Sequence, residues 1–178
     1  MTLSHSKTPW SLSVIVAVMA AWAGFFPHGA EARRSRWKVY SNADFDFRML
    51  APKGWYVSEQ KTHPSIMVAF RIPEGAELRV SVKVGEQRIT LKAFAKSEVK
   101  VLEKLGFSVG ELEQRTLSGR EALFVSGSKK KGSWRFQLYF LQRDRVGYAL
   151  SVVYRSGIWS KVERDVKLAL QSFKLTSK

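Results

Sequence analysis

Few side chains in this sequence are spaced to do chemistry, and each has a plainer account. His63, within Lys61-Thr62-His63-Pro64, is of the type that serves as a general base or a metal ligand. No second histidine, cysteine or carboxylate pair lies near it in sequence, so the segment reads as a solvated turn. Asp44 and Asp46 would share a face if they lay on one strand, offering oxygens to a cation. With no further oxygen donors beside them, a turn stabilised by Asp44 is the better reading. No G-x-S-x-G, H-E-x-x-H or glycine-rich phosphate loop occurs. No catalytic residue, metal ligand or cofactor site is therefore assigned, and an enzyme is not expected.

The most unusual single residue is Glu98. Leu91, Phe94, Ala95, Val101, Leu102 and Leu105 recur at helical spacing, with Thr90 placed to cap the helix and Gly106 to end it. Glu98 falls in the middle of that apolar stripe, and a buried carboxylate must pair or become neutral. Two partners remain open: a rim arginine or backbone N–H, and the hydroxyl of Tyr139 or Tyr154.

Charge is the other chemical resource. The chain carries 30 Lys and Arg against 15 Asp and Glu, a net +15 whose field draws anions. Cations gather at Arg33, Arg34, Arg36 and Lys38, at Lys129, Lys130 and Lys131 in a loop over Ser126–Ser133, and at Arg143 and Arg145. Arg79, Lys83, Arg135, Gln137 and Arg155 occupy the polar phase of three strands, which predicts a basic sheet face shared with Tyr139 and Val153. All thirteen of these Lys and Arg residues are candidates for binding an anionic partner.

Two helices and a set of strands must position these groups. Short strands are predicted at Trp37–Ser41, Phe45–Leu50 and Trp55–Glu59, with turns at Asn42-Ala43-Asp44 and at Ala51-Pro52-Lys53-Gly54. Ile66, Val68, Phe70 and Ile72, then Leu78, Val80, Val82 and Val84, alternate across the turn Pro73-Glu74-Gly75-Ala76. That is a hairpin with one dry and one wet face. Further strands are read around Gln114–Leu117, Ala122–Ser126, Trp134–Leu141 and Val146–Tyr154. A last helix is expected from Ser160, with Ser160 and Glu163 as a capping box, Glu163 and Lys167 as an i,i+4 pair, and Trp159, Val162, Val166, Ala169, Leu170 and Phe173 as its buried stripe. Seven or eight antiparallel strands with two helices make an α+β domain.

Residues 1–32 read as a secretory signal: an apolar run Trp10–Phe26, then Pro27 and the small-x-small site Ala30-Glu31-Ala32. The mature chain would start at Arg33 in the periplasm or outside the cell, and residues 33–178 form one domain. The arginines directly after the run reverse the usual charge asymmetry, so a retained membrane anchor over residues 10–26 is the alternative. The absence of cysteine excludes disulfides, thiolate catalysis and a bacterial lipoprotein anchor.

Three segments resemble the PsbP-like superfamily, which includes PsbP and DcrB-type exported domains. Phe47-Arg48-Met49-Leu50-Ala51-Pro52-Lys53-Gly54-Trp55 is similar to its opening strand, Pro, turn and Trp. Leu117-Ser118-Gly119-Arg120-Glu121-Ala122 is similar to its mid-domain turn, and Trp159 through Phe173-Lys174-Leu175 to its terminal helix. The resemblance implies an α/β/α sandwich with a central antiparallel sheet and flanking helices, and a non-enzymatic role, with the bacterial envelope branch the nearer match. Charge and resemblance together lead to an exported binding or assembly factor of the cell envelope. It would dock to an acidic envelope protein or an anionic surface of lipid, lipopolysaccharide or wall polymer. The alternative is an exported or membrane-tethered nucleic-acid binder, which the charge favours and no motif supports.

Overall fold

The structure, a computed structural model, describes residues 37–62, 65–129 and 133–176. The expected signal or anchor, Arg33, Arg34, Arg36, His63, Lys130 and Lys131 lie outside the described residues. The chain opens with a hairpin of β1 (Trp37–Asn42) and β2 (Phe47–Pro52). A meander of β3 (Tyr56–Thr62), β4 (Ser65–Ile72) and β5 (Ala76–Val84) leads to α1 (Leu91–Lys104). Then come β6 (Phe107–Val109), β7 (Glu113–Leu117), β8 (Arg120–Lys129), β9 (Trp134–Arg143) and β10 (Val146–Arg155). A 3-10 turn, Ser156–Ile158, enters α2 (Trp159–Ser172), and β11 (Lys174–Leu175) follows.

These strands make two antiparallel sheets. The large one runs β3-β4-β5-β10-β9-β8-β6, with β7 also on β8, and the small one runs β1-β2-β11. Directly paired residues share a face, so the register assigns each side chain to a layer. Val68 and Phe70, Val80 and Leu78, and Tyr148, Leu150 and Val152 form one dry face of the large sheet. Phe47, Met49 and Ala51 of β2 and Val162, Val166, Ala169 and Leu170 of α2 pack on it. On the opposite face Val125, Phe136, Leu138, Phe140 and Ala149 meet Phe94, Ala95 and Leu102 of α1.

The expected sandwich with helices flanking a central sheet is corrected by this arrangement. The molecule is mostly strand, and a second sheet, side by side with α2, covers one face of the large one. The reason is visible in β2, where Phe47, Met49 and Ala51 alternate with exposed Arg48 and Leu50. Such a strand has its own dry face to bury, and the large sheet supplies the matching surface. The β4–β5 hairpin also departs from its expected wet face: Glu77, Arg79 and Ser81 are buried.

Local signals set the helix ends unequally. Thr90 Oγ1 accepts from Ala93 N at 3.2 Å, and Gly106 leaves α1 at a φ of 82° that suits glycine. At α2 the expected capping box is absent. The 3-10 turn carries the chain into the helix at Trp159, so Ser160 is already inside it, and Ile158 at the cap makes no side-chain bond. Glu163 does pair with Lys167, at 2.7 Å.

Candidate functional site

The alternation in β9, Arg-Phe-Gln-Leu-Tyr-Phe-Leu, separates two uses of one strand. Phe136, Leu138 and Phe140 point toward α1, while Arg135, Gln137 and Tyr139 point to the opposite face. On that second face α2 lies over β2 and β10. Beyond it, β7, β8 and β9 present a row of aromatic and cationic groups. Phe124 of β8 is the direct partner of Tyr139, with ring centroids 4.8 Å apart. The Arg115 guanidinium of β7 sits over Phe124 at 3.7 Å, in cation–π geometry. Glu113 accepts from Arg115 at 2.7 Å, and that bond raises the Arg115 pKa and keeps it cationic.

A second row runs parallel. Gln137 Nε2 lies 3.4 Å from the Tyr154 hydroxyl, and the Tyr154 ring stacks on Trp159 at 4.3 Å. Arg135, the direct partner of Tyr154, is exposed, while Tyr139 and Trp159 are half-buried. Phe124 and Tyr154 are buried and hold Tyr139 and Trp159 in place. Two half-buried rings so fixed and flanked by arginines lose little entropy on binding and offer both apolar area and charge. The arrangement holds a ligand; it places no nucleophile beside a base.

The other residues singled out from the sequence are scattered by the register. Arg79, Lys83 and Arg155 lie on the face that meets α1, so the predicted single basic face with Arg135 and Gln137 does not form. Val153 is buried on that same face, away from Tyr139. Arg79 touches Glu77 and is buried. Burial and the Arg71 guanidinium draw the Arg79 pKa down to about 9, which still leaves it charged at neutral pH. Arg155 lies over Trp134 at 5.2 Å. Arg143 is a clasp: it donates to Asp46 at 2.8 Å and to the Thr176 carbonyl at 2.6 Å, tying the β1–β2 turn and the chain after β11 to the large sheet. Asp46 is thereby engaged. Arg145 stands exposed in the β9–β10 turn, about 30 Å along the strands from Arg135. Lys38 is exposed on β1, and Lys129 ends β8 close to Arg135 and Arg155. Strand β8 thus consumes much of the expected lysine loop.

Glu98 is buried, and its Oε1 lies 3.7 Å from Lys83 Nζ. Lys83 is thus one partner, while Tyr139 and Tyr154 lie on the opposite face of the large sheet. Phe124 had a signal in sequence, since it shares the phase of Ala122. Arg115 had none, because only the pairing of β7 with β8 brings it there. A cavity of about 320 Å³ lies between Arg88, Leu91, Arg120, Glu121, Leu141, Gln142 and Asp144. Two arginines and two carboxylates line it, so it favours neither sign of ligand.

No family model matches the chain, and no curated protein matches it in sequence. Solved structures match it in shape. Cyanobacterial PsbP (CyanoP) from Synechocystis sp. PCC 6803 superposes with a TM-score of 0.62 at 14% identity, over 84% of this chain and 98% of that one. The Saccharomyces cerevisiae Ran-binding protein Mog1p gives 0.51 at 8% identity, over 81% and 97%. A Pseudomonas aeruginosa protein of unknown function gives 0.50 at 12%, over 80% and 99%. At such identities the likeness is one of fold.

Proposed function

We propose that this chain, which has the PsbP-like fold, is an exported, non-enzymatic binding or assembly factor of the cell envelope. Its partner is an acidic protein, taken up on the face of Arg115, Phe124, Arg135, Tyr139 and Trp159. The observation that carries this reading is the pair of aromatic rows flanked by Arg115 and Arg135, on the part of the sheet face that runs from the first residue of α2 to β7. The net +15 supports an acidic partner, and the sequence of residues 1–32 supports export. A protein of similar fold, Mog1p, is a Ran-binding protein, which supports a protein-binding role for this one.

Affinity capture from a nuclease-treated envelope extract at moderate salt tests this. The wild-type chain should retain a protein that the double variant Arg135→Glu, Tyr139→Ala loses by about tenfold or more, the scale of a truncated binding hot spot. Equal retention by both chains, or recovery of nucleic acid alone before nuclease treatment, would refute the reading.

A further inference from the structure

The outer surface of the layer formed by the small sheet and α2 has an order that its structural duties do not explain. Val39 and Leu50 are direct cross-strand partners on the outward face, 66% and 36% exposed. Leu50 N donates to Ser172 Oγ at 2.8 Å, which seats the end of α2 against β2. One turn back along that side of α2 stands Leu168, 42% exposed. Singly exposed apolar residues are ordinary, but three brought together by one hairpin and one adjoining helix make a patch.

The neighbouring row is cationic. Arg48, two residues before Leu50, is the direct partner of Lys174 on β11, and both are exposed. Like charges facing each other across a sheet destabilise it. Neither has an ion-pair partner among the described residues, so an anion above the sheet is what would relieve them. Arg164 lies one turn before Leu168 and is exposed. In sequence, Arg33, Arg34 and Arg36 directly precede β1. An apolar patch rimmed by cations matches a surface with anionic headgroups over a hydrocarbon interior.

We propose that this outer face rests on an anionic phospholipid bilayer, with Val39, Leu50 and Leu168 entering the headgroup boundary and Arg48, Lys174 and Arg164 contacting lipid phosphates. The proposal does not depend on the partner face of β7–β9.

The cysteine-free chain allows a direct test. Single variants Leu50→Cys, Leu168→Cys and Gln114→Cys, the last on the opposite face of the large sheet, are labelled with a polarity-sensitive fluorophore. Each is mixed, as the full chain, with vesicles of phosphatidylglycerol and phosphatidylethanolamine or of phosphatidylcholine alone. The labels report depth, so attachment through residues 10–26 does not mask the result. Labels at 50 and 168 should shift to the blue and become shielded from acrylamide on the anionic vesicles only, and the label at 114 should not. Adding Arg48→Glu and Lys174→Glu should weaken the response by about 25-fold or more, taking about fivefold for each lost cation. Equal quencher access at all three positions, the same response on neutral vesicles, or shielding that grows with protein concentration without vesicles would overturn it. Self-association accounts for the last of these. The Arg135 and Tyr139 capture experiment is unaffected by any of them.

Discussion

Replacing Glu98 by glutamine keeps its volume and removes its charge, which isolates what the carboxylate does for Lys83. Both groups are largely out of water, and a cation left there without its counter-charge is costly. Glu98→Gln should therefore lower unfolding free energy by about 2–4 kcal/mol, measured by urea denaturation. The double variant Glu98→Leu, Lys83→Met should recover most of that loss, because a well-packed apolar pair avoids the desolvation cost. If the single variant unfolds like the wild type, the pair contributes nothing. The anomaly itself was readable: a carboxylate in the middle of an apolar stripe must have a partner. Which partner was not readable, because Lys83 is fifteen residues away and only the packing of α1 on the large sheet joins them.

At the level of elements, a side chain that is missing matters as much as one that is present. Gly147 of β10 lies beneath α1, and a Cβ there would meet the Phe94 ring at 2.8 Å. Gly147→Ala should push α1 off the sheet and cost about 1–3 kcal/mol. Hydrogen exchange should quicken across residues 91–104 while β4 and β5 keep their protection; unchanged exchange in α1 would contradict the close contact. Long alternating strands were legible, as β4, β5, β9 and β10 show with ends displaced by a residue or two. Phe107–Val109 and Lys174–Leu175 were not, since three or two residues carry no period and exist as strands only through their neighbours. The basic face failed for a related reason. Alternation fixes the phase within one strand, but the turn between strands fixes which phases coincide, and Asp144-Arg145 places Arg135 opposite Tyr154 rather than beside Arg155. Of the candidate site, the tyrosine and arginine of β9 could be read from sequence, and the contributions of β7 and α2 could not.

For the molecule as a whole, the two layers are joined by tyrosines whose hydroxyls are kept neutral. Burial and the hydrogen bond to Glu59 lift the pKa of Tyr40 well above its ordinary 10.0. Burial, with Asp46 assisting and Arg143 opposing, lifts Tyr148, which donates to the Phe45 carbonyl at 2.9 Å. A group whose folded pKa is raised gives stability that is complete below the unfolded value and lost as pH rises through the folded one. The bridge between the sheets should therefore loosen above about pH 10. Arg79 works in the opposite sense from about pH 9 upward, since its folded pKa is lowered. Absorbance at 295 nm separates the two effects: Tyr40 and Tyr148 should ionise only as the fold is lost. Tyr40→Phe and Tyr148→Phe should each remove part of that late phase, and a single early transition for every tyrosine would contradict it.

The small sheet also dictates an order of assembly. Its middle strand, β2, is made more than a hundred residues before its neighbour β11 and before Thr176, which Arg143 binds. Until those emerge, Phe47 and Met49 have no finished layer, and the row Val68, Phe70, Val80 and Leu150 stays uncovered. A nascent polypeptide would thus display that apolar row until residues 174–176 are made, which is the stage at which a holding chaperone has something to grip.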